Sequence, residues 1–354
     1  MRIALEAAPL ALSSGGLARY TAELSIALAR CFPDDEYFLV SDQPFRMPDD
    51  PPPNLKRGGG PCNAMERRWW LWGLAHELKR MRAQVIHGPD FSVPYIPRLP
   101  SVMTLHDLSP WMDPAWHHAA ARVRRRTPLL LELGVATMVI TPGEAVRRQA
   151  IERFRLRPER VVAVPEAAPS WLRPQPRPVA GARETPYFLF VGALEPRKNL
   201  PLVVEAWREV RRDHPVDLML VGRPRPDAPP LREEPGLKLA GEVPDAELPK
   251  LYSGALAFVY VSQYEGFGLP VIEAMQCGSC VIASHAVAEA ASDAAIYANS
   301  AAELVRAMRD VVERPDVAAD YRARGLARAA EFSWERTARL THEVYLEAYR
   351  RFGN

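Results

Sequence analysis

Two glutamates, Glu265 and Glu273, end the nine-residue stretch EGFGLPVIE, with two glycines and a proline between them. Glycine admits unusual backbone angles or close approach of a ligand. Gly266 and Gly268 can therefore bring the main chain near one. Pro270 favours the first position of a helix, whose free N–H groups would point back at the loop and attract an anion. An acid one turn inside a helix is often favoured by the dipole alone, which covers Glu273 but not Glu265, placed before the glycines. A sugar nucleotide suits both. Its diphosphate takes the N–H groups and any nearby cations. The carboxylates only accept hydrogen bonds, so they match the vicinal hydroxyls of ribose on one side and of the sugar on the other.

The cations are supplied by FVGALEPRKNL, where Arg197 and Lys198 follow a strand and stand at the head of a helix. Positive charge there opposes the helix dipole, and a bound phosphate would resolve the conflict through charge-assisted hydrogen bonds. Two solvated charges on a loop are the plainer alternative. In the first half, Gly15 and Gly16 precede a helix beginning near Leu17, a second candidate anion site. A GG turn is usually only a turn, and GGLARY is not the dinucleotide fingerprint. His106 closes an apolar strand; such a histidine is more often structural, and a place facing a cleft suits it to orient a sugar rather than to act as a base. The CGSC pair, Cys277 and Cys280, has redox or zinc spacing, but Cys31 and Cys62 lie far apart and no second CxxC or His pair accompanies it. Free thiols and no metal are expected.

These groups need elements to hold them. A chain of 354 residues exceeds one typical core and suggests two domains. Its 25% charged residues and net charge of +2 give no field that would favour nucleic acid. MRIALEAAPLALSSGG does not read as a signal peptide, since Glu6 interrupts its apolar run. LLLELGVATMVI contains Glu132 and is too short to span a bilayer. A cytoplasmic protein is expected.

Strand-like RIALEAA, EYFLV, QVIHG, SVMTL, TMVIT and RVVAVP alternate with longer segments. One of these, GLARYTAELSIALAR, spaces Leu17, Tyr20, Leu24, Ile26 and Leu28 near the helical period. The alternation predicts a parallel α/β sheet. A proline-rich stretch follows from 167 to 186, with a linker pattern. The alternation then resumes through YFLFVG, a helix in NLPLVVEAWREVRRDH, VDLMLVG, LKLAG, a short helix in DAELPKLYSG, ALAFVYV and SCVIAS. Ser333 is placed to cap a final helix. The expected domains are residues 1–168, a linker 169–186, residues 187–332, and a terminal helix 333–354 packing back on the first domain.

VGALEPRKNL followed by LAGEVPDAELPKLYSGALAFVYVSQYEGFGLPVIEAMQCG resembles the retaining glycosyltransferases of family 4, with the GT-B fold: two Rossmann-like parallel-sheet domains facing a cleft. GGLARYTAELSIALA, TLHDLSPWMDPAWHH and the terminal FSWERTA extend the resemblance over nearly the whole chain. It implies that Glu265 and Glu273 are the family's E-x7-E acids, the first facing the donor sugar and the second the ribose. It implies Lys198 and Arg197 on the diphosphate, Gly16 near the phosphates and His106 beside the donor sugar. Val243, Gly266, Phe267, Gly268 and Leu269 join the donor-binding set. Members need no metal, and no cofactor is expected besides a GDP- or UDP-sugar donor.

Departures are Ala193 where relatives carry an arginine, Cys280 for a proline, Glu166 for an asparagine, and a shortened loop SHAVAEAASDAA that keeps Glu289 aligned with the family's acid. They bear on which sugar or base is chosen. The implied activity is retaining, metal-independent transfer of a sugar, with mannose favoured, to a glycan, lipid-linked or small-molecule acceptor in polysaccharide or glycoconjugate biosynthesis. A sugar-nucleotide-binding protein without activity and a GT-B epimerase are the alternatives. ERRWWLWGLAHELKR and ARVRRRTPLLLELG mix basic and large apolar residues. That mixture suits peripheral contact with anionic lipid or, more often, a core face with solvated arginines outside.

Overall fold

The computed structural model describes residues 1–12, 15–113, 116, 120–176 and 185–352. The chain divides into two compact units. The first comprises Met1–Met112, His117–Glu166 and Ser333–Asn354; the second comprises Asp113–Trp116 and Ala167–Phe332.

In the first unit the described elements run β1 (Arg2–Glu6), α1 (Gly16–Cys31), β2 (Glu36–Val40), β3 (Leu55–Arg57), α2 (Leu74–Arg80), β4 (Val85–Gly88), β5 (Ser101–Thr104), α3 (Ala121–Glu132), β6 (Met138–Thr141), α4 (Glu144–Phe154) and β7 (Val161–Ala163). The strands pair in parallel in the order β3-β2-β1-β4-β5-β6-β7. Every residue of β4, β5 and β6 is buried, as expected for parallel strands covered on both faces. On α1 the buried stripe is Tyr20, Thr21, Leu24, Ser25, Ala27, Leu28 and Ala29. Ile26 lies at its margin, and Thr21 takes a core position by donating its hydroxyl to the Leu17 carbonyl at 2.9 Å.

The second unit runs β8 (Tyr187–Val191), α5 (Leu200–Arg211), β9 (Asp217–Val221), β10 (Leu237–Gly241), α6 (Leu248–Gly254), β11 (Phe258–Tyr260), α7 (Leu269–Gln276), β12 (Val281–Ala283), α8 (Ala288–Ala291), β13 (Ile296–Tyr297), α9 (Ala301–Glu313) and α10 (Pro315–Ala329). Its sheet order is β10-β9-β8-β11-β12-β13, again parallel. Leu200, Val203, Val204, Trp207 and Val210 bury one face of α5 at helical spacing. Full burial of such side chains is worth about 1.5–3 kcal/mol each. The proline-rich stretch begins inside this unit. Leu172 is fully buried in its core, and the Gln276 amide donates to the Pro169 and Leu172 carbonyls, both at 2.7 Å.

The last helix, α11 (Trp334–Phe352), belongs to the first unit and packs on α1 and on β4, β5 and β6. Trp334, Thr337, Ala338, Thr341, Val344, Tyr345 and Ala348 form its buried stripe. The Ser333 hydroxyl accepts the Arg336 N–H at 3.1 Å, a cap at its start.

Candidate active site

In each sheet the strand order reverses once, between β1 and β4 in the first unit and between β8 and β11 in the second. Open parallel sheets bind ligands outside the carboxyl ends of strands at such a reversal. The loops leaving β8 and β11 carry Arg197, Lys198 and Glu265.

Pro196–Lys198 forms one 3-10 turn, Asn199 follows in left-handed geometry at φ 56°, and α5 starts only at Leu200. The two cations therefore precede the helix rather than occupying its first turn, and acids balance them. Lys198 Nζ lies 2.6 Å from Glu265 Oε1 and donates to the Tyr260 hydroxyl at 2.6 Å. Arg197 Nη1 is 2.9 Å from Glu265 Oε2 and Arg197 Nε is 2.8 Å from Glu195 Oε1. Arg225 Nε reaches the second oxygen of Glu195 at 3.2 Å. Three cations against two carboxylates leave one net positive charge.

Burial works against ionisation of Glu265, but the charges of Arg197 and Lys198 outweigh it and hold the carboxyl down to about 2. The benefit is unequal. Burial is the larger influence on Lys198, Glu265 opposes it and Arg197 repels the ammonium, so Lys198 sits below the ordinary lysine value. Its 2.6 Å contact with a carboxylate is that of an ammonium. Burial also keeps the Tyr260 phenol protonated.

The loop behind Glu265 is shaped by packing. Gly268 has φ +102° and caps α7; a Cβ there would meet Val287 Cγ1 at 2.7 Å. Its lack of a side chain is thus required by the fold itself. Pro270 is the second residue of α7. Phe267 is buried with its ring edge-on to Phe332, Leu269 and Val243 rest partly buried against the second core, and Gly266 is half-buried. Glu273 has its own environment, 3% exposed and accepting the Tyr252 hydroxyl at 3.1 Å. Cys277 and Cys280 are buried and outside any disulfide, and burial pushes the Cys277 thiol up to about 12.

The first unit holds Gly16 and His106. Gly16 opens α1 behind Gly15, at φ +116°, and a Cβ at either would meet open space. His106 follows β5 and is paired inside its own unit, with Nδ1 2.9 Å from Glu166 Oε1 and Nε2 2.8 Å from the Pro89 carbonyl oxygen. Burial disfavours its charge; the hydrogen bond and charge of Glu166, with Asp90 and Pro89 behind them, raise its pKa all the same.

Sequence reasoning missed Glu195, Tyr260, Glu6 and Asp90 as site neighbours. Glu195 had a visible signal, an acid two residues before Arg197 within GALEPRKN. Glu6 ends β1 with 3% exposure. Burial first, then Asp42 and Asp90, push it up to about 8, although the Ala8 N–H and Arg126 oppose them.

Residues 174–328 match the family described as "Glycosyl transferases group 1", and residues 14–170 match "Glycosyltransferase Family 4". The chain is 31% identical to an O-antigen chain mannosyltransferase B of Escherichia coli, over 98% of its own length and 99% of the relative's. It is 29% identical to a serotype-specific mannosyltransferase, WbdA, of Escherichia coli, over 45% of this chain and 21% of that one. Among solved structures it resembles a sucrose-phosphate synthase from Thermosynechococcus elongatus, with TM-score 0.71, 20% identity and 99% coverage of both chains. It also resembles Anabaena HepE in complex with UDP-glucose, with TM-score 0.68, 18% identity and coverage of 97% and 98%.

Proposed function

The chain belongs to the glycosyltransferases of group 1 and family 4, built on the GT-B architecture, and from that premise we propose a retaining hexosyltransferase that takes mannose from a nucleoside diphosphate and needs no metal. The observation that carries this reading is the Arg197–Lys198–Glu265 cluster at the reversal of the second sheet. A diphosphate would recruit the two cations away from Glu265 and so free a carboxylate for the hydroxyls of the transferred sugar. Arg197 and Lys198 then stabilise the charge that grows on the leaving diphosphate as the bond to the anomeric carbon breaks. The acceptor hydroxyl attacks that carbon from the same face, and its proton passes to the departing phosphate. Glu273 would hold the ribose, Gly16 would approach the phosphates, and His106 would act beside the sugar.

Mannose and a polysaccharide acceptor are supported by the O-antigen chain relative, and a nucleotide donor by the UDP-glucose complex of HepE. The acceptor would be recognised by the first unit. Arg122, Arg125, Leu129 and Leu133 follow at three- and four-residue spacing along α3 and just past it, all exposed, which suits an anionic lipid surface carrying a lipid-linked acceptor. Among the described residues no helix is long and apolar enough to cross a membrane.

The test is nucleotide release from GDP- and UDP-sugars with glycan or lipid-linked acceptors, in EDTA, with the product's anomeric configuration read by NMR. A retained configuration supports the reading. Donor binding with no release under any acceptor would favour a binding protein, and an altered donor sugar would favour an epimerase.

A further inference from the structure

The carboxyl edge of the first sheet holds a charge arrangement around His106. Both ring nitrogens of His106 face acceptors, Glu166 Oε1 at 2.9 Å and the Pro89 carbonyl oxygen at 2.8 Å. A carbonyl only accepts, so Nε2 carries a proton. Where the Glu166 carboxyl carries its charge it only accepts, and Nδ1 then holds a proton as well, which makes the ring a cation. The side chains of His106 and Glu166 are 15% and 5% exposed, which keeps water from screening the pair.

The neighbours agree with that assignment. Asp90, beyond β4, adds to the field that raises His106, although burial lifts its own carboxyl. Asp107 is engaged with the Ser109 N–H and hydroxyl. From α1, the Tyr20 ring meets the imidazole edge-on at 4.5 Å, and its buried phenol, hydrogen-bonded with Thr104, stays protonated. His87 on β4 has its nitrogens against the Tyr345 and Thr104 hydroxyls. Burial first, and the like charge of His106 next, push His87 down to about 3, so it stays neutral. Arg126 acts on Asp90.

We propose that Glu166 is a positioning residue that holds His106 as a doubly donating imidazolium, so that His106 serves transfer as a fixed positive charge and not as a proton acceptor. The inference rests on the transferase reading above. With both nitrogens committed, His106 cannot relieve the acceptor hydroxyl of its proton, which leaves that role to the departing phosphate.

The experiment is a pH titration of the full-length protein labelled with 15N-histidine, His106 being assigned by the signal missing from His106→Gln, alongside pH profiles of kcat. In the wild type His106 should show two protonated nitrogens at neutral pH. Glu166→Gln should lower its titration midpoint by about one pH unit or more and move the alkaline limb of kcat by the same amount. Glu166→Asp, which keeps the charge, should restore much of both. A neutral His106 in the wild type at pH 7 overturns the proposal, and that measurement needs no variant to fold. A titration that moves while the kcat limb stays still overturns the catalytic half. Absence of transfer by the wild type would sink the transferase reading while leaving the titration result standing.

Discussion

Glu265 lies 2.9 Å from Arg197 Nη1 and accepts from Lys198 at 2.6 Å, so any diphosphate that recruits these cations must take them from it. Two substitutions should therefore fail differently. Lys198→Ala removes charge stabilisation of the leaving group, and turnover should fall about 10²–10³-fold by nucleotide release. Glu265→Gln takes the 2.6 Å counter-charge from buried Lys198 and leaves Arg197 with Glu195; it should lower the melting midpoint as well as donor use. Equal melting with unchanged rate in either variant would remove that residue from the site. Glu6 gives a prediction with a definite sign. Its pKa is about 8, above the ordinary 4.5. A raised carboxyl gives stability below the ordinary value that is lost as pH rises through the folded one. Glu6→Gln should thus stabilise the protein more at about pH 8.5 than at about pH 5, by roughly 1 kcal/mol or more. The same shift in melting midpoint at both pH values would contradict the burial argument.

At the scale of elements, α11 shows how a half-buried cap governs a buried face. Ser333 accepts the Arg336 N–H, and the helix behind it buries Trp334, Tyr345 and five smaller side chains in the first unit. Ser333→Ala should cost about 0.5–2 kcal/mol, read in a chemical denaturation curve, without altering donor affinity. The α3 stripe makes a contrasting case, because its exposed Leu129 and Leu133 serve no core. Replacing both with Ser should leave folding stability within about 0.5 kcal/mol and reduce flotation with vesicles rich in phosphatidylglycerol. Undiminished flotation, or none by the wild type, would argue against lipid contact through α3. The other basic, apolar stretch is committed to packing: Trp69, Leu74 and Leu78 lie in a core cluster with Ala4, Val40 and Ile86.

For the whole molecule, ligand binding should register as stability. A donor at about 100 times its dissociation constant should add roughly 2.7 kcal/mol, seen as a raised melting midpoint that EDTA does not abolish. One nucleotide producing that shift would name the donor class. A shift that EDTA removes would contradict metal-independent binding, and no shift with any GDP- or UDP-sugar tested would require a rarer donor.

The chain's own order of residues determined the alternation of strand and helix, because parallel strands buried on both faces read as apolar runs wherever they occur. It also determined the start of α11, since a capping serine before a periodic apolar stripe is a local signal. The short edge strand β3, with Lys56 and Arg57 exposed, and the two-residue β13 carry no such run, and only pairing with a neighbour makes them strands. EGFGLPVIE and RKN were legible as residue types suited to a sugar nucleotide. Their mutual geometry was not. Lys198 and Glu265 are 67 residues apart, and β8 and β11 become neighbours only when the sheet assembles. The pairing of His106 with Glu166 likewise spans 60 residues and two strand ends. Burial then decided the charges. The same type of carboxyl is held down to about 2 at Glu265, between two cations, and pushed up to about 8 at Glu6, where burial and two other acids prevail. Glutamate fixes only the ordinary value; the field around it exists only in the folded chain.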